Sequence, residues 1–197
     1  MEAIPLKAFL DLLGRGLVSP RPVARRLIDG RLDMRQRLTL VALAAALQGV
    51  LWAVIGLVAP GVSPGGLGIA GHAALAGLVF VNYAIVATLA FHIGRRFGGR
   101  GSPADVATAV GWHSMLTAAL TPVQAIALGG SGPAQAMSGG AVAVLMAYIG
   151  YNIWLLAACV AEAHGFASTR RVALVTVALF FALGLVLSLL FGGLGRG

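Results

Sequence analysis

Three stretches of this chain carry no charged residue: 38–94, 106–161 and 172–195. An unbroken apolar run constrains a fold more than any motif does, because roughly 20 such residues are enough to cross a bilayer. The first two runs each hold two crossings and the third holds one. The chain therefore reads as an all-α integral membrane protein with five transmembrane helices, over 38–59, 69–94, 103–128, 141–161 and 170–191. A polar segment over 1–37 precedes them. Composition agrees: 10% of the residues are charged, against about 25% in a soluble domain.

The net charge of +8 has the distribution of a membrane protein and not of a nucleic-acid binder. Basic residues cluster before the first span (Arg25, Arg26, Arg31, Arg35, Arg37 among them), between the second and third (Arg95, Arg96, Arg100) and between the fourth and fifth (Arg170, Arg171). The other two loops carry no charge. This alternation predicts an N-in/C-out topology, with the basic clusters cytoplasmic. Anionic lipid headgroups are then the expected partners of Arg25, Arg26, Arg95, Arg96 and Arg100. A protein partner or a homo-oligomer is left open, and no nucleic acid is expected. Lys7 is the one lysine among 14 basic residues, a bias that suits GC-rich bacterial coding and hence a bacterial inner membrane. No apolar h-region precedes residue 38, so the first span is expected to serve as the insertion signal.

Residues 1–37 have order of their own. Leu6, Phe9, Leu10, Leu13 and Leu17 recur at helical spacing, and Gly14 or Gly16 is placed to end that helix. Ser19-Pro20 reads as a cap and first turn, with an Arg25–Asp29 pair to follow. Two amphipathic helices lying on the cytoplasmic membrane surface are expected. Between the second and third spans, Ser102-Pro103-Ala104-Asp105 has the form of a capping box, so the third span starts at Pro103. Pro122 should kink it.

Two literal motifs fail on inspection. Gly61-Val62-Ser63-Pro64-Gly65 spells a nucleophile elbow, but Pro64 has no N–H where the oxyanion hole needs one. Gly66 to Gly71 spells a dinucleotide fingerprint without the strand that gives it meaning. Cys159 is the sole cysteine, so no internal disulfide forms. No cofactor, metal site or catalytic group is expected. The chemistry that remains is intramembrane. Counting 1.5 Å per residue from the nearest charges puts Asn82, His113 and Asn152 near the bilayer centre. Thr117 shares the face of His113, and Tyr148 that of Asn152. Such groups point inward, either as hydrogen-bonded struts or as the lining of a small permease or channel. His92 and His164 lie near the interfaces and read as solvated. Glu162 is expected to pair with Arg170 or Arg171, and Trp52 to sit at the outer interface.

The loop Arg95-Arg96-Phe97-Gly98-Gly99-Arg100-Gly101-Ser102 resembles the aromatic-Gly-Gly-basic-Gly-Ser loop between the second and third helices of the bacterial Yip1-domain proteins. Gly111-Trp112-His113, Pro122, Tyr151-Asn152-Ile153-Trp154, Gly165-Phe166 and Arg171-Val172-Ala173 extend the resemblance along essentially the whole chain. It implies a five-span membrane fold and a membrane address rather than a reaction, and a non-enzymatic adaptor or membrane-organising role is the expectation that goes with it. The Asp-Leu-Tyr-Gly-Pro-type segment of eukaryotic members is missing here, where the chain reads Leu32-Asp33-Met34-Arg35. Their Rab GTPase partnership is therefore not carried over.

Overall fold

A computed structural model describes residues 6–59, 69–129 and 139–191. In chain order the elements are α1 (Leu6–Val18), α2 (Pro20–Asp29), α3 (Met34–Val58), α4 (Ile69–Arg96), α5 (Pro103–Ala119), α6 (Thr121–Gly129), α7 (Gly139–His164) and α8 (Thr169–Phe191). No strand occurs among the described residues. By length and composition, α3, the part of α4 from Gly77 to Arg96, and α7 are each able to cross a membrane. Many large apolar side chains face outward, including Leu78, Val81, Ile85 and Leu89 on α4 and Leu174, Phe180, Phe181 and Leu185 on α8. Apolar surface this continuous belongs in lipid.

The core is centred on α5, whose Val106, Ala109, Val110, Trp112, Met115 and Leu116 are buried and which touches α3, α4, α7 and both N-terminal helices. Its neighbours present small residues, Ala44 and Ala45 on α3 and Ala157 and Ala158 on α7, as suits packing without a hydrophobic driving force. Polar ties fix the register. Arg37 Nε donates to Thr108 Oγ1 at 3.2 Å, joining α3 to α5. Tyr83 Oη donates to the Ala107 carbonyl at 3.2 Å, joining α4 to α5.

The helix ends follow local chemistry. Ser102 Oγ accepts from Asp105 N at 3.1 Å, and Asp105 Oδ2 accepts from Ser102 N at 3.0 Å. The capping box expected from the sequence is therefore formed. A second box starts α3: Asp33 Oδ1 accepts from Gln36 N at 2.7 Å, and Gln36 Oε1 from Asp33 N at 2.8 Å. It begins the helix at Met34, a turn before the position that hydropathy indicates. Pro122 divides the expected 103–128 helix into α5 and α6. Without an N–H, it leaves the Ala118 carbonyl free, and Thr121 Oγ1 donates to that carbonyl at 2.7 Å. Ser168 Oγ accepts from Arg171 N at 3.3 Å and opens α8. The 60–68 and 130–138 connections, with the whole first glycine motif and the first half of the second, and the 192–197 tail lie outside the described residues; Ile69 to Gly71 open α4.

The two N-terminal helices form, and part of their apolar faces turns into the bundle, while Leu6, Leu10 and Val18 stay exposed. Leu13, Val23 and Ala24 are buried in the core with residues of α5 and α7. α1 runs through Gly14 and Gly16 to Val18. The reason is contact: a Cβ at Gly16 would stand 2.6 Å from Trp112 Cζ2, so this glycine admits an indole and does not end the helix. Tyr151 Oη donates to the Leu17 carbonyl at 2.6 Å, satisfying a C-terminal acceptor of α1. Ser19 sits at the N-cap of α2 without a side-chain capping bond. Trp52, expected at an interface, is 6% exposed and packs inside.

Candidate functional site

Four elements meet at the arginine-rich end of the bundle: α2, the α4–α5 loop, the end of α7 and the start of α8. α4 and α7 finish in the same way. After α4, Gly98 takes a φ of 83°, Gly99 N donates to the Gly94 carbonyl at 2.8 Å and Gly98 N to the Arg95 carbonyl at 3.1 Å. After α7, Gly165 takes a φ of 71°, Phe166 N donates to the Ala161 carbonyl at 2.8 Å and Gly165 N to the Glu162 carbonyl at 3.2 Å. Both are Schellman closures, in which a left-handed glycine lets the chain return and satisfy the last carbonyls. The two closures interlock through Arg100 N, which donates to the His164 carbonyl at 3.1 Å.

His164 is the plug of this joint. It is 2% exposed, so it is enclosed by protein and not solvated. Its Nε2 lies 3.1 Å from the Ala90 carbonyl. A carbonyl only accepts, so Nε2 carries the proton. A Cβ at Gly94 or Gly99 would clash with the imidazole, and one at Gly101 would strike the Ala163 carbonyl. The glycines of the loop are therefore a socket for the end of α7, and only Gly98 is needed for its backbone angle.

Glu162 is the anchor. Its side chain is 5% exposed, and it pairs with Arg21 at 2.9 Å and with Arg25. Arg21 also donates to the carbonyls of Phe166 at 2.9 Å and Ala167 at 3.2 Å, so one guanidinium ties α2 to the turn after α7. Neither Arg170 nor Arg171, the expected partners, pairs with Glu162, and Arg25 bonds Glu162 in place of Asp29. Proximity in sequence is a poor guide here, because residues 168–171 are turned into α8 while α2 lies across the end of α7. Arg26, Arg95, Arg96 and Arg100 are exposed and make no ion pair among the described residues. Ser102 and Asp105 serve the cap of α5.

Deeper in the bundle, three of the expected polar side chains meet. Thr117 Oγ1 donates to Asn152 Oδ1 at 3.0 Å, and Asn152 Nδ2 donates to the Tyr148 carbonyl at 3.3 Å. His113 Nε2 lies 3.4 Å from Thr117 Oγ1. The hydroxyl gives its one proton to Asn152, so the histidine is the donor in that contact. Tyr148 thus joins the cluster through its backbone carbonyl, and its phenol also lies against Asn152. Asn82 does not join it. It is exposed on α4, one residue round the helix from Tyr83, which faces α5. Counting residues gives depth along a helix but not the direction a side chain takes.

Arg21 and His164 are the residues that sequence reasoning misses. The available signal for Arg21 was Glu162 itself, the one acidic residue after Asp105, which must find a cation wherever it is buried.

No curated protein and no solved structure gives a significant match to this sequence. The Yip1 domain, taken as a family, matches residues 15–190. That span starts in α1, includes the glycine socket and its plug, and ends in the last turn of α8. The chain belongs to the Yip1-domain family, as a multi-pass membrane protein.

Proposed function

We propose that this protein is a non-enzymatic adaptor or membrane-organising factor of a bacterial inner membrane, with five spans, its N-terminus and basic end cytoplasmic and its C-terminus outside. In this reading Arg26, Arg95, Arg96 and Arg100 engage anionic headgroups. The observation that carries it is the absence of competition for these four side chains. Asp33 and Asp105 are committed to helix caps, Glu162 to Arg21 and Arg25, and Asp11 and Asp29 make no ion pair, so these four arginines, like other exposed ones, have no ion pair among the described residues. Arg25 leaves the set expected from the sequence because it belongs to the Glu162 anchor.

Each arginine near an anionic surface contributes about 1 kcal/mol. With the protein held in neutral nanodiscs, replacing all four by Gln should weaken docking of phosphatidylglycerol vesicles at least tenfold, by roughly that contribution per charge. Flotation assays measure this, and unchanged docking refutes the proposal. The rival reading is a permease along Asn82, His113 and Asn152. Two observations weigh against it: Asn82 lies apart, and Thr117 and Asn152 are satisfied by each other and by backbone. Solute flux lost on His113→Ala in proteoliposomes would reinstate it.

A further inference from the structure

Beside the joint at the basic end, α4 and α8 stand apart over α7 and enclose a groove of about 950 Å³, within the roughly 300–1,000 Å³ of ligand sites. Val86, Leu89 and Ile93 form one wall, Val172 and Val175 the other, and Leu156 lies on the floor. Phe97, Leu179 and Phe180 on its rim are 63%, 43% and 56% exposed, so the groove opens sideways into the surroundings of the bundle.

Its polarity is graded along its length. Among its lining residues the polar side chains are Ser168, Arg171 and Thr176. Thr176 Oγ1 spends its proton on the Val172 carbonyl at 2.9 Å, while Ser168 Oγ accepts from Arg171 N at 3.3 Å and keeps its own proton beside Arg171. The guanidinium of Arg171 is the charged group of the three, and it makes no ion pair among the described residues because Glu162 is taken by α2. A single free cation thus stands at the basic end of an otherwise apolar trough.

Length identifies the occupant. Among the described residues the groove runs from Arg171 to Ala182 on α8 and from Val86 on α4 to Phe97 just after it, about 16 Å along each helix at 1.5 Å per residue. That is half of a hydrocarbon core about 30 Å thick, the depth of one leaflet. A helix of a second copy, lying parallel in the same membrane, would need a seam of the full thickness. It would also bring Arg171 and its neighbours against their own counterparts, where like charges repel.

We propose that this groove holds one anionic phospholipid of the basic-end leaflet, with its acyl chains along the apolar walls and its phosphate against Arg171. The inference deepens the lipid-facing reading given above by naming an intramembrane site, but it does not use the four surface arginines.

Native mass spectrometry of the full chain in a neutral detergent, offered equal phosphatidylglycerol and phosphatidylcholine, tests it. The expected result is one retained phosphatidylglycerol per chain, favoured at least tenfold over phosphatidylcholine. Arg171→Gln, on an exposed side chain outside the core, should abolish that preference. Val175→Trp should displace both lipids, with its melting curve checking that the fold is kept. The variant with Arg26, Arg95, Arg96 and Arg100 changed to Gln should keep its one lipid, so that failure of vesicle docking and failure of this site are told apart. Equal retention of the two headgroups, or retention unchanged by either single substitution, overturns the proposal. A dimer that Val175→Trp dissociates overturns it in favour of a second copy.

Discussion

The seam along α4 and α7 is built in two contrasting ways within a few turns. At the basic end it is locked: His164 fills the space that Gly94 and Gly99 leave open, and Gly101 lies against the Ala163 carbonyl. One to two turns deeper, Val86, Leu89 and Leu156 line an open trough. The locked part uses missing side chains and backbone bonds, so it tolerates no added atom. The open part uses flexible apolar side chains and is closed by nothing else among the described residues. A helix pair is thus held rigidly at one end and left free to receive another molecule beside it.

The largest effect should come from the locked end. Gly101→Ala sets a Cβ against backbone that cannot rotate away, and overpacking of this kind costs about 3 kcal/mol. Thermal unfolding in detergent should show a large drop, and a curve overlaying that of the wild type would break the contrast. Next is Arg21→Ala. It removes a guanidinium bonded to Glu162 and to two carbonyls, and hydrogen bonds to charged groups contribute about 2 kcal/mol each. Partial exposure of Arg21 lowers the total. A double-mutant cycle with Glu162→Gln should give a non-additive coupling, and strict additivity would remove Glu162 as the anchor. The smallest effect is expected in the trough. Leu179→Ala on its rim should change stability by no more than about 0.5 kcal/mol. A loss matching that of Gly101→Ala would show that the trough is a packed interface.

The fold was legible where the signal is local. Charge-free runs mark the long helices, Ser102 with Asp105 marks the start of α5, and Pro122 marks the break before α6. Asp33 and Gln36 are written in the same capping grammar, but Arg35 and Arg37 make that stretch look too polar to belong to a span. What could not be read depends on distant partners. The glycines at 98, 99 and 101 look like a turn until His164 is seen among them. Glu162 looks like a partner for its near neighbours until Arg21, 141 residues upstream, is found beside it. Thr117 meets Asn152 across α5 and α7, whereas Asn82 shows that depth without azimuth does not make a contact.

The Arg21–Glu162 pair also carries a consequence for how the protein is made. The two N-terminal helices leave the ribosome first, yet their docking surfaces on α5 and α7 do not exist until most of the chain has been translated. At roughly 5–20 residues per second, the separation of 141 residues is a wait of on the order of ten seconds. During that interval Leu13, Val23 and Ala24 lack the α7 part of the surface that covers them, and the lipid interface or a chaperone must complete their cover until α7 arrives.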